Sequence, residues 1–278
     1  MRTPPFGTIT HFPASTRTPS KAAVLVMPAI FTPTRAYRSV VEVLNNAGIH
    51  AAVMHYGTQP PTHADQRDRR STGFNYLADI ALPRAIRELG AANINPVWVL
   101  GHSLGAQIAV HAIKRHTIAP DGLYFVAAGT PYYRCFTGFS KLVALTGTGM
   151  PYVVSLLVGH WPGRALGIGT DESSILVKDW ATLAWTGNYD RLTGDGHTVS
   201  SPKNSDTYDK PLIASIFSDD SFAPRPAAEA LCQHLPGARR SIVDLGNGGH
   251  MGWLKQPDTA LSELVQQIGS PQALRPRQ

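Results

Sequence analysis

The stretch "PVWVLGHSLGAQIAVHA", residues 96–112, decides the fold. Val97 to Leu100 is a continuous apolar run, as a strand buried on both faces requires. A helical pattern starts at Leu104, so strand becomes helix within Gly101-His102-Ser103-Leu104-Gly105. A simple reversal would use Asn-Gly or Pro-Asp. Here a hydroxyl residue is squeezed between two glycines instead. A tight strand-to-helix turn needs small residues at 101 and 105, because side chains there would strike the flanking strand and helix. Such a turn lifts Ser103 clear of the sheet and aims the helix N-terminus at whatever faces the hydroxyl.

The rest of the chain alternates. Residues 22–29 (AAVLVMPA) and 49–56 (IHAAVMHY) have the pattern of strands, separated by a helix through Tyr37, Val40, Val41 and Leu44 that stops at Gly48. Residues 75–90 form a helical pattern that must accommodate Pro83. Strands are expected again at 122–129, 211–218 and 240–246, with helices near 225–234 and 258–269. Strands alternating with helices predict one α/β domain, a mostly parallel sheet with helices on both faces.

Composition sets limits on function. The 278 residues are 43% hydrophobic, enough for one large core, and 25 Gly with 22 Pro imply many loops. The net charge of +6 is scattered. Its one tight knot, Arg67, Arg69 and Arg70, is interleaved with Asp65 and Asp68 and is expected to be a solvated loop, so no nucleic-acid partner is implied. Cys135 and Cys232 form neither a disulfide framework nor a metal-ligand spacing. Residues 1–15 lack the apolar run of a secretory signal, and a cytoplasmic location is the expectation. Residues 142–159 are uncharged, but Gly147, Gly149 and Pro151 interrupt them. A short helix, a turn and a second helix are expected there, with no stable membrane insertion.

In sheets of this kind chemistry gathers beyond the carboxyl ends of the strands, where Ser103 stands. A serine hydroxyl is a poor nucleophile until a base takes its proton. That predicts a histidine after the last strand and an acid after the strand before it. His250 in "LGNGGHMGW" and the pair Asp219, Asp220 in "FSDDSFAP" occupy those places. The order Ser, Asp, His suits this architecture and differs from that of other triad folds.

The motifs "GHSLGAQ", "SDDSFAP" and "GHMGW", with "VLVMPAIF" and "PGRALGIGTDESSILVKDWATLAW", resemble the α/β-hydrolase superfamily. The resemblance is to a bacterial branch near lysophospholipase-like and serine-aminopeptidase-like hydrolases, and it covers most of the chain from residue 22. It implies Ser103 as nucleophile and His250 as general base. Asp220 is favoured as the acid because Pro224 follows it by four positions, with Asp219 the alternative. The oxyanion hole would use the backbone N–H groups of Leu104 and Ile30, with Ala29 the runner-up. Many relatives have His-Gly where this chain has Pro28-Ala29-Ile30-Phe31.

The resemblance further implies a mostly helical lid over residues 131–208. Its Trp161, Trp180 and Trp185 are expected mainly to pack, some of them lining an acyl pocket, while His160 and His197 stay outside the chemistry. "FGTITHF" (6–12) would be what remains of the antiparallel strands that usually open the sheet. "HYGTQPP" (55–61) replaces a segment with Asp and Arg, which leaves that loop's role open. The implied reaction is cleavage of an ester or thioester of a small-molecule acyl substrate through an acyl-enzyme. No cofactor or metal is implied, since H-E-x-x-H, a Walker loop and a dinucleotide fingerprint are all lacking. An acyltransferase, a peptidase and a non-catalytic ligand-binding homologue are the alternatives.

Overall fold

The computed structural model describes residues 6–15, 22–56, 73–192 and 207–269. The Arg67–Arg70 knot, residues 57–61 of the "HYGTQPP" loop, and His197 with the last part of the expected lid lie outside the described residues.

Seven strands form one sheet: β1 (Ile9–Phe12), β2 (Ala23–Met27), β3 (His50–Met54), β4 (Val97–His102), β5 (Gly122–Val126), β8 (Pro211–Ile216) and β9 (Arg239–Asp244). Their order is β1-β3-β2-β4-β5-β8-β9. β1 alone runs antiparallel, paired with β3, so the "FGTITHF" stretch does supply one opening strand. The other neighbours are parallel. Met27 lies opposite Gly101, Val126 opposite Ser215, and Ile216 opposite Asp244, so the carboxyl ends of five strands open onto one edge.

Alternation along the strands splits the core in two. Val24, Val26 and Leu100 face α1 (Arg38–Asn46) and α8 (Asp258–Gly269), meeting Val40, Leu44, Leu261 and Leu264. Leu25, Met27 and Val99 face the opposite layer of α3 (Leu82–Ala91), α4 (Leu104–Lys114) and α7 (Arg225–Gln233). Pro83 is accommodated within a continuous helical run, just after a π-helical turn and near the start of α3. A short α2 (Phe74–Tyr76) and a π-helical turn, Leu77–Ala81, lead into it. Asp79 of that turn is clamped by Arg115 through two hydrogen bonds of 2.5 Å.

The chain between β5 and β8 inserts α5 (Gly138–Val158), a two-stranded ribbon of β6 (His160–Trp161) and β7 (Glu172–Ser173), and α6 (Ser174–Thr186). Here the structure corrects the sequence reading: α5 is one unbroken helix of 21 residues with Pro151 inside it. The reason is packing. Thr148, Pro151 and Ser155 form the one buried stripe of α5, on the side that meets α6, and this contact outweighs the lost hydrogen bond at proline. Much of the remaining apolar surface of α5 is exposed, including Phe139, Leu142, Leu156 and Leu157. By length and composition the helix is apolar enough to cross a membrane. Cys135 and Cys232 are free thiols.

Candidate active site

The turn after β4 has the geometry its glycines predict. Ser103 sits at φ 51°, ψ −113°, a strained conformation for a residue with a side chain. A Cβ on Gly101 would lie 2.5 Å from the Ala106 Cα, and one on Gly105 would lie 2.0 Å from the Met27 carbonyl oxygen. Only hydrogen fits at either place. Helix α4 therefore starts hard against the end of β2, with Ser103 at its N-cap position.

Ser103 is not alone at this edge. Its Oγ lies 3.0 Å from His250 Nε2, and His250 Nδ1 lies 2.8 Å from Asp220 Oδ2. Asp220 is buried, and its other oxygen, Oδ1, accepts the N–H groups of Phe222 (2.8 Å) and Ala223 (3.1 Å). Both carboxylate oxygens thus have assigned work, which fixes the carboxylate plane and, through it, the imidazole.

Asp219 turns the other way. Its Oδ1 accepts the Gly248 and Gly249 N–H groups at 3.0 and 2.8 Å, and these bonds hold its pKa below the usual aspartate value. It shapes the loop that delivers His250 and does not touch the imidazole. The sequence reading held it as the alternative acid and did not foresee this loop-shaping role.

The two amides expected as oxyanion donors lie on adjacent strand ends. Neither Ile30 N–H nor Leu104 N–H has a hydrogen-bond partner among the described residues. The runner-up, Ala29, is engaged: its N–H donates to Tyr37 Oη at 2.7 Å. The Ala29 carbonyl accepts from Thr32 N at 3.3 Å, closing a tight turn. In a trans peptide the next N–H points opposite to that carbonyl, so Ile30 N–H faces away from the turn.

Phe31, the third residue of the turn, has φ 62°, which a sequence without glycine there does not announce. The inserted segment grips it. The Phe31 carbonyl accepts from Thr170 N at 3.1 Å, and its ring packs against Trp161 and edge-on to Trp180, with centroids 5.2 and 5.8 Å away. Both tryptophans therefore pack on the loop after β2. Glu172 lies behind Phe31, buried, with Oε1 accepting from Thr170 Oγ1 at 2.6 Å and Oε2 without a hydrogen bond in the described structure.

Burial pushes the Glu172 pKa up to about 7, against the opposing effect of the Thr170 hydroxyl that donates to it. Its folded pKa exceeds its unfolded one, so the native state binds the extra proton between about pH 4.5 and 7. Stability therefore falls as pH rises through that window. Glu172→Gln keeps the acceptor for Thr170 and removes the charge. The variant should exceed wild type in stability by on the order of 2–3 kcal/mol at pH 8, with the gap closing towards pH 5. Thermal unfolding across that range measures it; a gap independent of pH would contradict the assignment.

An apolar cavity lies beside the imidazole. Phe136, Val143, Ala144, Trp180 and Phe222 line it, and the Phe222 ring centroid is 5.3 Å from that of His250. Its walls come from Phe136 before α5, from α5 and α6, and from the loop after β8, and Phe222 is the wall residue that also meets His250.

A sequence model of the α/β hydrolase family matches residues 24–264. The chain belongs to the α/β-hydrolase family. No curated protein sequence matches it. Among solved structures, this hydrolase-family chain is similar to one described with LipS and LipT, two metagenome-derived lipolytic enzymes (TM-score 0.60, 15% identity, covering 96% of this chain and 99% of that one). It is also similar to a monoacylglycerol lipase of Paleococcus ferrophilus (TM-score 0.58, 13% identity, 94% and 98% covered). A soluble variant of monoglyceride lipase from Saccharomyces cerevisiae gives a TM-score of 0.62 at 16% identity, with 94% and 90% covered. At such identities these likenesses speak for the shared fold.

Proposed function

We propose that the protein is a serine hydrolase that cleaves an ester or thioester through an acyl-enzyme intermediate. The observation that supports this most is the unbroken chain from Ser103 Oγ to His250 to Asp220, at 3.0 and 2.8 Å, placed at the carboxyl edge of the sheet.

In this reading His250 Nε2 takes the Ser103 proton as Oγ attacks the carbonyl carbon. Asp220 keeps the Nδ1 proton in place and stabilises the imidazolium that forms. Charge developing on the carbonyl oxygen is met by the Leu104 and Ile30 N–H groups; a donor of this kind is typically worth about 10²–10³ in rate. The imidazolium then protonates the departing alcohol or thiol. Water, deprotonated by His250, attacks the acyl-enzyme and releases the acid together with free Ser103. The residues between β5 and β8 act as the lid. The cavity lined by Val143, Trp180 and Phe222 favours an apolar acyl group.

The experiment is turnover of nitrophenyl esters of graded acyl length. Wild type should hydrolyse them, with a preference for chains long enough to reach Trp180. Ser103→Ala should lose about 10⁴-fold or more in kcat with its thermal unfolding unchanged. Equal turnover by the two proteins would defeat the reading.

A further inference from the structure

The residue between Gly101 and Ser103 is a histidine, and the proposed mechanism leaves it unused. His102 and Tyr37 are both fully buried. Tyr37 Oη lies 2.7 Å from His102 Nδ1 and 2.7 Å from the Ala29 N–H that donates to it. On its other side His102 Nε2 lies 2.9 Å from the backbone carbonyl of His250. One chain of hydrogen bonds therefore joins the loop after β2 to the loop that bears His250. It passes through the residue next to Ser103.

The direction of every proton in that chain is fixed by its ends. The His250 carbonyl can only accept, so His102 carries its proton on Nε2. Nδ1 is then an acceptor and must receive the Tyr37 hydroxyl proton. The Tyr37 oxygen, having donated, accepts from Ala29. Trp253 stands edge-on to the same imidazole, centroids 5.2 Å apart, with its Nε1 3.5 Å from His102 Nε2; the much shorter 2.9 Å contact of that nitrogen with the His250 carbonyl decides the tautomer. Burial and the neighbouring His250 hold the His102 pKa well below the usual histidine value, so the ring stays neutral and keeps this single tautomer.

We propose that Tyr37 and His102 are positioning residues, a buried relay that sets the distance between the oxyanion-binding loop and the catalytic histidine across Ser103. The inference rests on the active-site reading given above. Ala29 N–H is tied down at one end, which orients the peptide presenting Ile30 N–H. The His250 carbonyl is tied down at the other, which sets the height of the imidazole over Ser103. Releasing either end lets the two loops drift independently, and displacements of an ångström at reacting groups can cost about 10²-fold.

The test compares wild type, Tyr37→Phe, His102→Leu, His102→Gln and the Tyr37→Phe/His102→Leu double variant. It measures ester kcat and KM, the rate of phosphonylation by a fluorophosphonate, and thermal unfolding. Tyr37→Phe keeps the ring and its packing, so it remains informative if His102→Leu fails to fold. Tyr37→Phe should lower kcat and the phosphonylation rate together by ~10-fold or more, with KM within about 2-fold. The double variant should be no worse than the poorer single one, because either change opens the same chain. His102→Gln, which can still donate to the His250 carbonyl, should recover part of the rate lost in His102→Leu. Wild-type kcat in Tyr37→Phe, or losses that multiply in the double variant, would overturn the relay while leaving the hydrolase reading intact. A folded wild type inert to both ester and fluorophosphonate would overturn the active-site reading, and the relay with it.

Discussion

Asp220→Asn is expected to lower kcat by about 10⁴-fold while leaving the fold in place. The size of the effect follows from which oxygen does what. Oδ1 accepts the Phe222 and Ala223 N–H groups, and the asparagine carbonyl will keep that place, since it is the acceptor the two amides need. The new amide NH₂ is then left at the Oδ2 position, 2.8 Å from His250 Nδ1. Two donors cannot face each other, so Nδ1 gives up its proton and Nε2 takes one. An imidazole protonated at Nε2 cannot accept the Ser103 proton. The sister substitution Asp219→Asn retains the acceptor that Gly248 and Gly249 use, and kcat should stay within about 3-fold of wild type. Steady-state kinetics on the pair decides between the two acids. Equal losses would mean that the proximity of Asp220 to the imidazole is not what orients it.

Gly105→Ala should be the most damaging single methyl group in the chain's central turn. The added Cβ would stand 2.0 Å from the Met27 carbonyl oxygen and 2.5 Å from its carbon, both backbone atoms of a strand held on either side by neighbours. No rotamer change relieves such a contact. Either β2 or the start of α4 must move, and a cost of about 3–5 kcal/mol is expected in denaturant unfolding. Gly147→Ala is the matched control. It lies within α5 with open space where its Cβ would go, and alanine there should stabilise by about 0.5–1 kcal/mol. A Gly105→Ala protein as stable as wild type would mean that helix and strand do not approach as closely as described.

What could be read from the sequence is what short range dictates. The apolar run into Gly-His-Ser-Leu-Gly announced a buried strand, a tight turn and a helix because all three are enforced within about ten residues of chain. The Ser103, Asp220 and His250 placement followed from strand order, since each lies just past a strand end. Asp220 was separable from Asp219 by Pro224 alone. In the structure Asp220 Oδ2 faces His250, and its second oxygen caps the Phe222–Ala223 turn just before that proline.

Other features depended on partners far away in sequence. Nothing in "TRAYRSV" or "GHS" reveals that Tyr37 and His102, 65 positions apart, are hydrogen-bonded. Phe31 adopts a left-handed conformation where Thr170, Trp161 and Trp180 of the inserted segment hold it, not because of its own preference. The break expected at Gly147, Gly149 and Pro151 did not occur, because propensity was outweighed by the contact of α5 with α6. Local rules weigh a proline by the bond it removes. They cannot see the helix packed against it.

The most direct test of the central claim is fluorophosphonate labelling followed by intact mass and peptide mapping of the adduct. One adduct is expected on wild type, mapped to Ser103, absent from Ser103→Ala and strongly slowed in His250→Ala. Folded wild-type protein that takes up no label, or an adduct that persists in Ser103→Ala, would contradict the claim.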